Sequence, residues 1–112
     1  MASTHDYISD KRNKDILIYI NGEFFHRSDA KVSVFDSGFL LGDGVWEGIR
    51  LHKNSLIHFD QHINRLYAGA DAIAMKIQLN KNELKDAVRL TLEKNEMHSD
   101  THIRLIVSRG IK

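Results

Sequence analysis

Two arginines in this chain carry charge where an ordinary fold would not ask for it, and either one could hold an anion. Arg65 lies in a segment with helical periodicity and shares a strip with His62, Gly69 and Ala72, away from the apolar face. A cation near the start of a helix opposes the helix dipole unless an anion is bound there, and the small neighbours leave room for one. The other reading is a solvated arginine paired with an acidic neighbour. Arg104 sits beside His102 on the polar side of an alternating segment. It can simply reach solvent, or it can line a cleft and take a carboxylate through two parallel hydrogen bonds.

A third feature is the run Ser37-Gly38-Phe39-Leu40-Leu41-Gly42-Asp43-Gly44-Val45-Trp46-Glu47-Gly48-Ile49-Arg50. Glycine costs about 0.5–1 kcal/mol inside a regular element, so Gly42, Gly44 and Gly48 must serve a positive φ, a bulge, or a close approach to the backbone. From residue types alone the run reads either as a glycine-kinked strand or as a loop that faces a ligand.

Other chemistries find no support. Three residues beyond Gly44 stands Glu47, so no dinucleotide fingerprint opens there, and no Gly-Lys-Ser/Thr phosphate loop occurs. His58 and His62 are four apart, but one falls on an expected strand and the other on the following helix, so no metal site is expected. No Ser-His-Asp or nucleophile-elbow pattern is visible. Sixteen basic and fifteen acidic side chains, a net charge of +1, are mixed along the chain and make no broad field for nucleic acid or a membrane surface. Cysteine is absent, which excludes disulfides and thiolate metal sites and makes a reducing cytoplasm the default. No apolar run approaches the ~20 residues that span a bilayer.

These residues must be positioned by a fold that 112 residues, 42% of them hydrophobic and 28% charged, can build as one domain. Residues 1–13 are polar and read as an arm, leaving 14–112 as the folded part. Residues 16–20 and 23–26 flank Asn21-Gly22, a strong hairpin signal. Residues 31–35 read as a third strand, 45–52 as a fourth and 56–59 as a fifth pairing back on it. At Asp60, the expected N-cap, the period changes to 3.6, with Ile63, Leu66, Tyr67, Ala70, Ile73, Ala74 and Ile77 on one face. Asn80 and Glu83 have capping-box spacing and open a second helix ending near Met97, with Leu84, Ala87, Val88, Thr91 and Leu92 inward. Residues 101–108 form a last strand with Ile103, Leu105 and Val107 on one face and His102, Arg104 and Ile106 on the other. The sum is an α+β domain, two helices packed on one face of a largely antiparallel sheet.

Taken together, residues 35–50, His62-Ile63-Asn64-Arg65-Leu66-Tyr67 and Ile103-Arg104-Leu105-Ile106-Val107-Ser108-Arg109-Gly110 resemble the class IV (fold type IV) pyridoxal-phosphate aminotransferases. That family contains the branched-chain and D-amino-acid aminotransferases. The resemblance implies the small N-terminal domain of such an enzyme, covering one side of a cofactor cleft, in a homodimer. It implies that Arg65 binds the phosphate of pyridoxal 5'-phosphate and that Leu41 and Trp46 shape a pocket for amino acid and 2-oxo acid substrates. It further implies that Arg104 receives a substrate carboxylate. His102 stands where branched-chain members often carry tyrosine, and Leu41 replaces another such tyrosine. The lysine that bonds the cofactor and the glutamate that pairs with its ring nitrogen belong, by the same resemblance, to a C-terminal domain beyond Lys112, so the chain alone is expected to be inactive. A D-amino-acid aminotransferase, a lyase eliminating pyruvate from an aminated chorismate, and a non-catalytic binding or dimerisation module are the alternatives.

Overall fold

The computed structural model describes residues 9–112, which fall into two compact units, divided between Ala30 and Lys31. Most of the expected polar arm thus lies outside the described residues. In the first unit a single 3-10 turn, Lys11–Asn13, is capped by Asp10, whose carboxylate accepts from the Arg12 amide at 2.9 Å. Strands β1 (Leu17–Ile20) and β2 (Glu23–His26) pair antiparallel, as expected. Asn21 and Gly22 both take positive φ, 51° and 90°, the requirement of a two-residue turn whose twist matches the strands. Tyr19 and Phe24, paired across the ladder, meet edge to face at 5.5 Å.

The second unit departs from expectation at its start. Residues 31–35 form no strand, although Val32 and Val34 are β-branched. A strand needs a ladder partner, and among the described residues only the Lys112 amide reaches this stretch from a distant part of the chain, donating to the Phe35 carbonyl at 3.1 Å; Val32, Val34 and Phe35 remain 63% exposed. The chain then enters a short helix, α1 (Ser37–Leu41), where the sequence reading offered a glycine-kinked strand or a loop. The Asp36 carboxylate accepts from the Gly38 amide at 2.8 Å and fixes the first turn. Gly42, at φ 65°, closes the last turn, its amide and that of Asp43 donating back to the Gly38 and Ser37 carbonyls.

The central strand is β3 (Gly44–His52). On one side it carries the two-residue β4 (Ser55–Leu56), and on the other it pairs antiparallel with a long C-terminal strand from Gly44↔Ser108 to Leu51↔Thr101. The fifth strand of the sequence reading is therefore shorter than expected. His58 takes φ 52°, which ends the extended backbone, and Phe59 turns inward to open a helix.

That helix, α2 (Phe59–Ala72), starts before Asp60, so Asp60 is not its N-cap. Asp60 stands instead in the first turn, where its charge suits the helix dipole, and pairs with Lys85. Ile63, Leu66 and Ala70 are buried as expected, but the helix stops short of Ile77 because Ala74 takes φ 52° and Ile73 is left 39% exposed. Arg109 satisfies the freed carbonyls, Nη2 donating to Ile73 at 2.7 Å and Nη1 to Ala74 at 3.2 Å, while its Nε holds Asp43 at 2.7 Å.

The last helix, α3 (Lys81–Lys94), begins with the expected capping box, Asn80 Oδ1 accepting from the Glu83 amide and Glu83 Oε1 from the Asn80 amide. It ends before Met97, because Glu96 adopts φ 50°. The chain returns as β5 (Thr101–Ser108), giving the sheet order β4-β3-β5. The core lies between this sheet and the two long helices, with Ile49, Ile63 and Leu66 at its centre and Phe59, Leu84 and Val88 around them. Ile103, Leu105 and Val107 pack on it and His102, Arg104 and Ile106 face away, as the alternation predicts. The class is α+β as read, with two antiparallel sheets where one was expected and α1 added as a third helix.

Two substitutions probe these contacts. A Cβ at Gly44 would lie 2.6 Å from the Val107 carbonyl oxygen, so Gly44→Ala must push β3 and β5 apart at their paired ends. It should cost about 1–3 kcal/mol. Asn80→Ala, which removes the cap of α3, should cost about 1 kcal/mol. Urea unfolding midpoints measure both, and unchanged midpoints would contradict the close approach and the cap respectively.

Candidate functional site

Alternation along β3 places Val45, Glu47, Ile49 and Leu51 on the side of the core and Trp46, Gly48, Arg50 and His52 on the other. Glu47 is the anomaly, a carboxylate at a core position and only 5% exposed. Burying such a charge unpaired would be prohibitive. Helix α2 crosses β3 closely, Gly69 lying against Val45, and it supplies the partners from one strip. His62 and Arg65, three residues apart, face the same way.

The geometry is that of a charge-assisted cluster. Arg65 donates from Nε to Glu47 Oε1 and Oε2, both at 3.0 Å, and from Nη2 to Oε1 at 2.7 Å. His62 Nδ1 lies 2.7 Å from the same Oε1. A carboxylate only accepts, so Nδ1 carries the proton and donates. The Arg65 bonds, aided by that of His62, hold the Glu47 carboxyl below its ordinary value of 4.5 despite the opposing effect of burial. Arg65 is itself shifted upward by the pair. Its side chain is nevertheless 72% exposed, and among the described residues Nη1 has no protein partner. The reading of Arg65 as paired with an acidic neighbour is met, and the same side chain keeps a donor edge open.

The remaining expected residues lie elsewhere. On the outer face of the sheet the Arg104 guanidinium stacks on the Trp46 ring, 4.4 Å from its centroid. Arg104 is paired in register with Gly48, and His102 lies over the same glycine, its Cε1 only 2.9 Å from where a Cβ would be. Gly48 is therefore required by the ring above it. Trp46 is 59% exposed and Leu41, at the end of α1, 62%. The structure brings Trp46, His102 and Arg104 together on one face and puts Arg65 with Glu47 on the helix side. Two open grooves, one along the end of α2 and one between the start of α2 and the end of α3, are lined by none of Leu41, Trp46, Arg65, His102 and Arg104.

Glu47 has no role in the sequence reading, although the signal was present. It breaks an otherwise apolar period-two series, Val45, Ile49 and Leu51, and a charge in such a series must find cations. Among the described residues no group of three or more His, Cys, Asp or Glu side chains is placed to hold a metal ion, and no helix is long and apolar enough to cross a membrane.

Because the folded-state pKa of Glu47 is depressed, its contribution to stability is full above the unfolded value and is lost as pH falls through the folded one. Glu47→Gln should therefore flatten the fall in stability with acidification below the ordinary carboxylate value of 4.5. Urea midpoints followed from pH 7 to pH 3 measure this, and parallel curves for the two proteins would contradict it.

Comparison with known proteins places these features in a family. A family model described as amino-transferase class IV matches residues 44–112. A Methanocaldococcus jannaschii protein whose name proposes a branched-chain-amino-acid aminotransferase is 48% identical over 84% of the chain and 32% of its own length. A D-alanine aminotransferase of Listeria monocytogenes is 33% identical over 85% of the chain and 32% of its own length. The crystal structure of a T.th. branched-chain amino acid aminotransferase complexed with N-(5'-phosphopyridoxyl)-L-glutamate superposes with a TM-score of 0.79 at 30% identity, covering 88% of the chain and 34% of that structure. The chain thus spans about a third of the length of these proteins. With a model match running from the first residue of β3 to Lys112, through Glu47, Arg65 and Arg104, the chain belongs to the class IV aminotransferase family.

Proposed function

We propose that the whole protein to which these residues belong transfers an amino group from an amino acid to a 2-oxo acid with pyridoxal 5'-phosphate, and that residues 14–112 are its small domain. The observation that carries this reading is the guanidinium of Arg65, fixed along one edge by Glu47 and open along the other. A planar fork with a free edge suits a phosphomonoester, which accepts parallel hydrogen bonds. The donor set therefore fits the phosphate end of the cofactor. When bound, that cofactor supplies an electron sink for the bond broken at the substrate Cα.

The chain's own residues hold and sort. Arg65 binds the phosphate. Trp46, Leu41 and His102 shape the substrate pocket, and Arg104 receives a substrate carboxylate. The stack on Trp46 keeps the Arg104 guanidinium flat against an apolar ring, so one surface offers both a hydrophobic wall and a cation. That pairing suits an enzyme that accepts an aliphatic amino acid in one half-reaction and an acidic one in the other. Branched-chain L-amino acids are the substrates we favour. D-alanine is a second reading, supported by the D-alanine aminotransferases among the similar proteins. Elimination of pyruvate from an aminated chorismate is a further alternative within the same family. A cytoplasmic homodimer belongs to the same proposal. The base that moves the proton from Cα lies on this reading outside the chain, which alone should bind the cofactor weakly and turn nothing over.

In the complete protein Arg65→Gln should raise the dissociation constant for pyridoxal 5'-phosphate by roughly 10–100-fold, the value of a charge-assisted contact. Trp46→Ala should leave that constant nearly unchanged and shift the ratio of kcat/KM for L-leucine over D-alanine. Absorbance titration and steady-state kinetics read the two effects, and the reverse pattern would undo the assignment.

A further inference from the structure

We infer that Glu47 is the positioning residue of the phosphate site, holding the Arg65 guanidinium in the one orientation that presents its free edge to a phosphomonoester. The inference rests on the reading of Arg65 given above. Arg65 alone is poorly suited to that role. At 72% exposure, its long side chain has nothing but solvent around most of it and would sample many rotamers. Glu47 removes that freedom. Its carboxylate is anchored in the middle strand of the sheet, beside Ile49, which is fully buried, and opposite Leu105 of β5. His62 holds the same Oε1 from one turn earlier on α2, so the acceptor cannot swing away from Arg65.

The chemistry of the fork does the rest. A guanidinium is rigid and planar, so fixing its Nε–Nη2 edge on Glu47 fixes the direction of the Nη1 side. Glu47 and Arg65 neutralise each other, and attraction to an anion then rests on directed N–H bonds more than on net charge. A site of this kind should select the shape of a phosphate group rather than negative charge at large. An ion pair present only for stability would make no such selection, which separates the two roles.

The test uses the complete protein stripped of cofactor and titrated with pyridoxal 5'-phosphate and, separately, with pyridoxal, which lacks the phosphate. The dissociation constant for pyridoxal divided by that for pyridoxal 5'-phosphate isolates the phosphate contact. Glu47→Gln keeps the shape and removes the charge; it should lower the ratio roughly tenfold, as loss of a residue that orients a ligand-binding group commonly does. The constant for pyridoxal should stay within about twofold. The 31P chemical shift of the bound phosphate should move with the ratio. Should Glu47→Gln fail to fold, Glu47→Asp, whose carboxylate is withdrawn by one methylene, is read in the same way. Arg65→Gln serves as the reference. If it abolishes the phosphate preference while the Glu47 variants keep the wild-type ratio, or weaken both ligands equally, the inference falls and the reading of Arg65 stands. If Arg65→Gln leaves the preference intact, the reading of Arg65 falls and the inference with it.

Discussion

A carboxylate placed among apolar residues of a central strand has to be met by cations before the strand can be covered. Glu47 imposes that condition on β3, and α2 meets it with His62 and Arg65 from a single strip. The requirement does more than neutralise a charge. It fixes which face of α2 turns toward the sheet and at what height the helix lies along it, since the two donors must reach one oxygen. The apolar contacts are then set as well, Ile63 and Leu66 dropping into the core beside Ile49. Hydrophobic burial supplies most of the stabilisation but is non-directional, whereas the ion cluster is directional and supplies the register.

Three of the four glycines of residues 37–50 serve three different constraints. Gly42 ends α1 with a left-handed residue, Gly44 lets two backbones pass closely where β3 and β5 meet, and Gly48 leaves space for the His102 ring. The outer face they shape carries Trp46, His102 and Arg104, while the inner face carries the Glu47 cluster. One strand thus separates two groups of side chains by its alternation. On the proposed reading the inner residue orients a cation for phosphate, and the outer face offers a ring and a cation for substrate. Trp46 and Glu47, adjacent on β3, point to opposite faces of the same sheet.

Membership of the class IV aminotransferase family rests on a match over residues 44–112, and the superposition on a branched-chain amino acid aminotransferase shows that the same elements recur in the same arrangement. The chain covers about a third of such proteins, which accords with a division of labour. On the proposed reading the candidate residues bind and orient, holding anions and packing against apolar groups.

Local physics was legible in the sequence. The Asn21-Gly22 turn, the Asn80–Glu83 capping box and the alternation of β5 each depend on residues within a few positions of one another, and each stands as read. Arg65 and Arg104 stand out because a charge is unusual at their places in the pattern, whereas Leu41, Trp46 and His102 are candidates only through the family resemblance. The failures have one cause. Whether residues 31–35 pair, where α2 begins and ends, and what becomes of Glu47 are settled by partners distant in the chain. Among the described residues no strand pairs along residues 31–35, Phe59 is drawn into the core, Arg109 donates to the carbonyls that end α2, and Arg65 reaches Glu47 across eighteen residues. The sequence by itself determined the fold class and the presence of the two long helices, because propensity and period act over short range. Only the tertiary structure decided which charge meets which, because a buried carboxylate selects its partners by proximity in space.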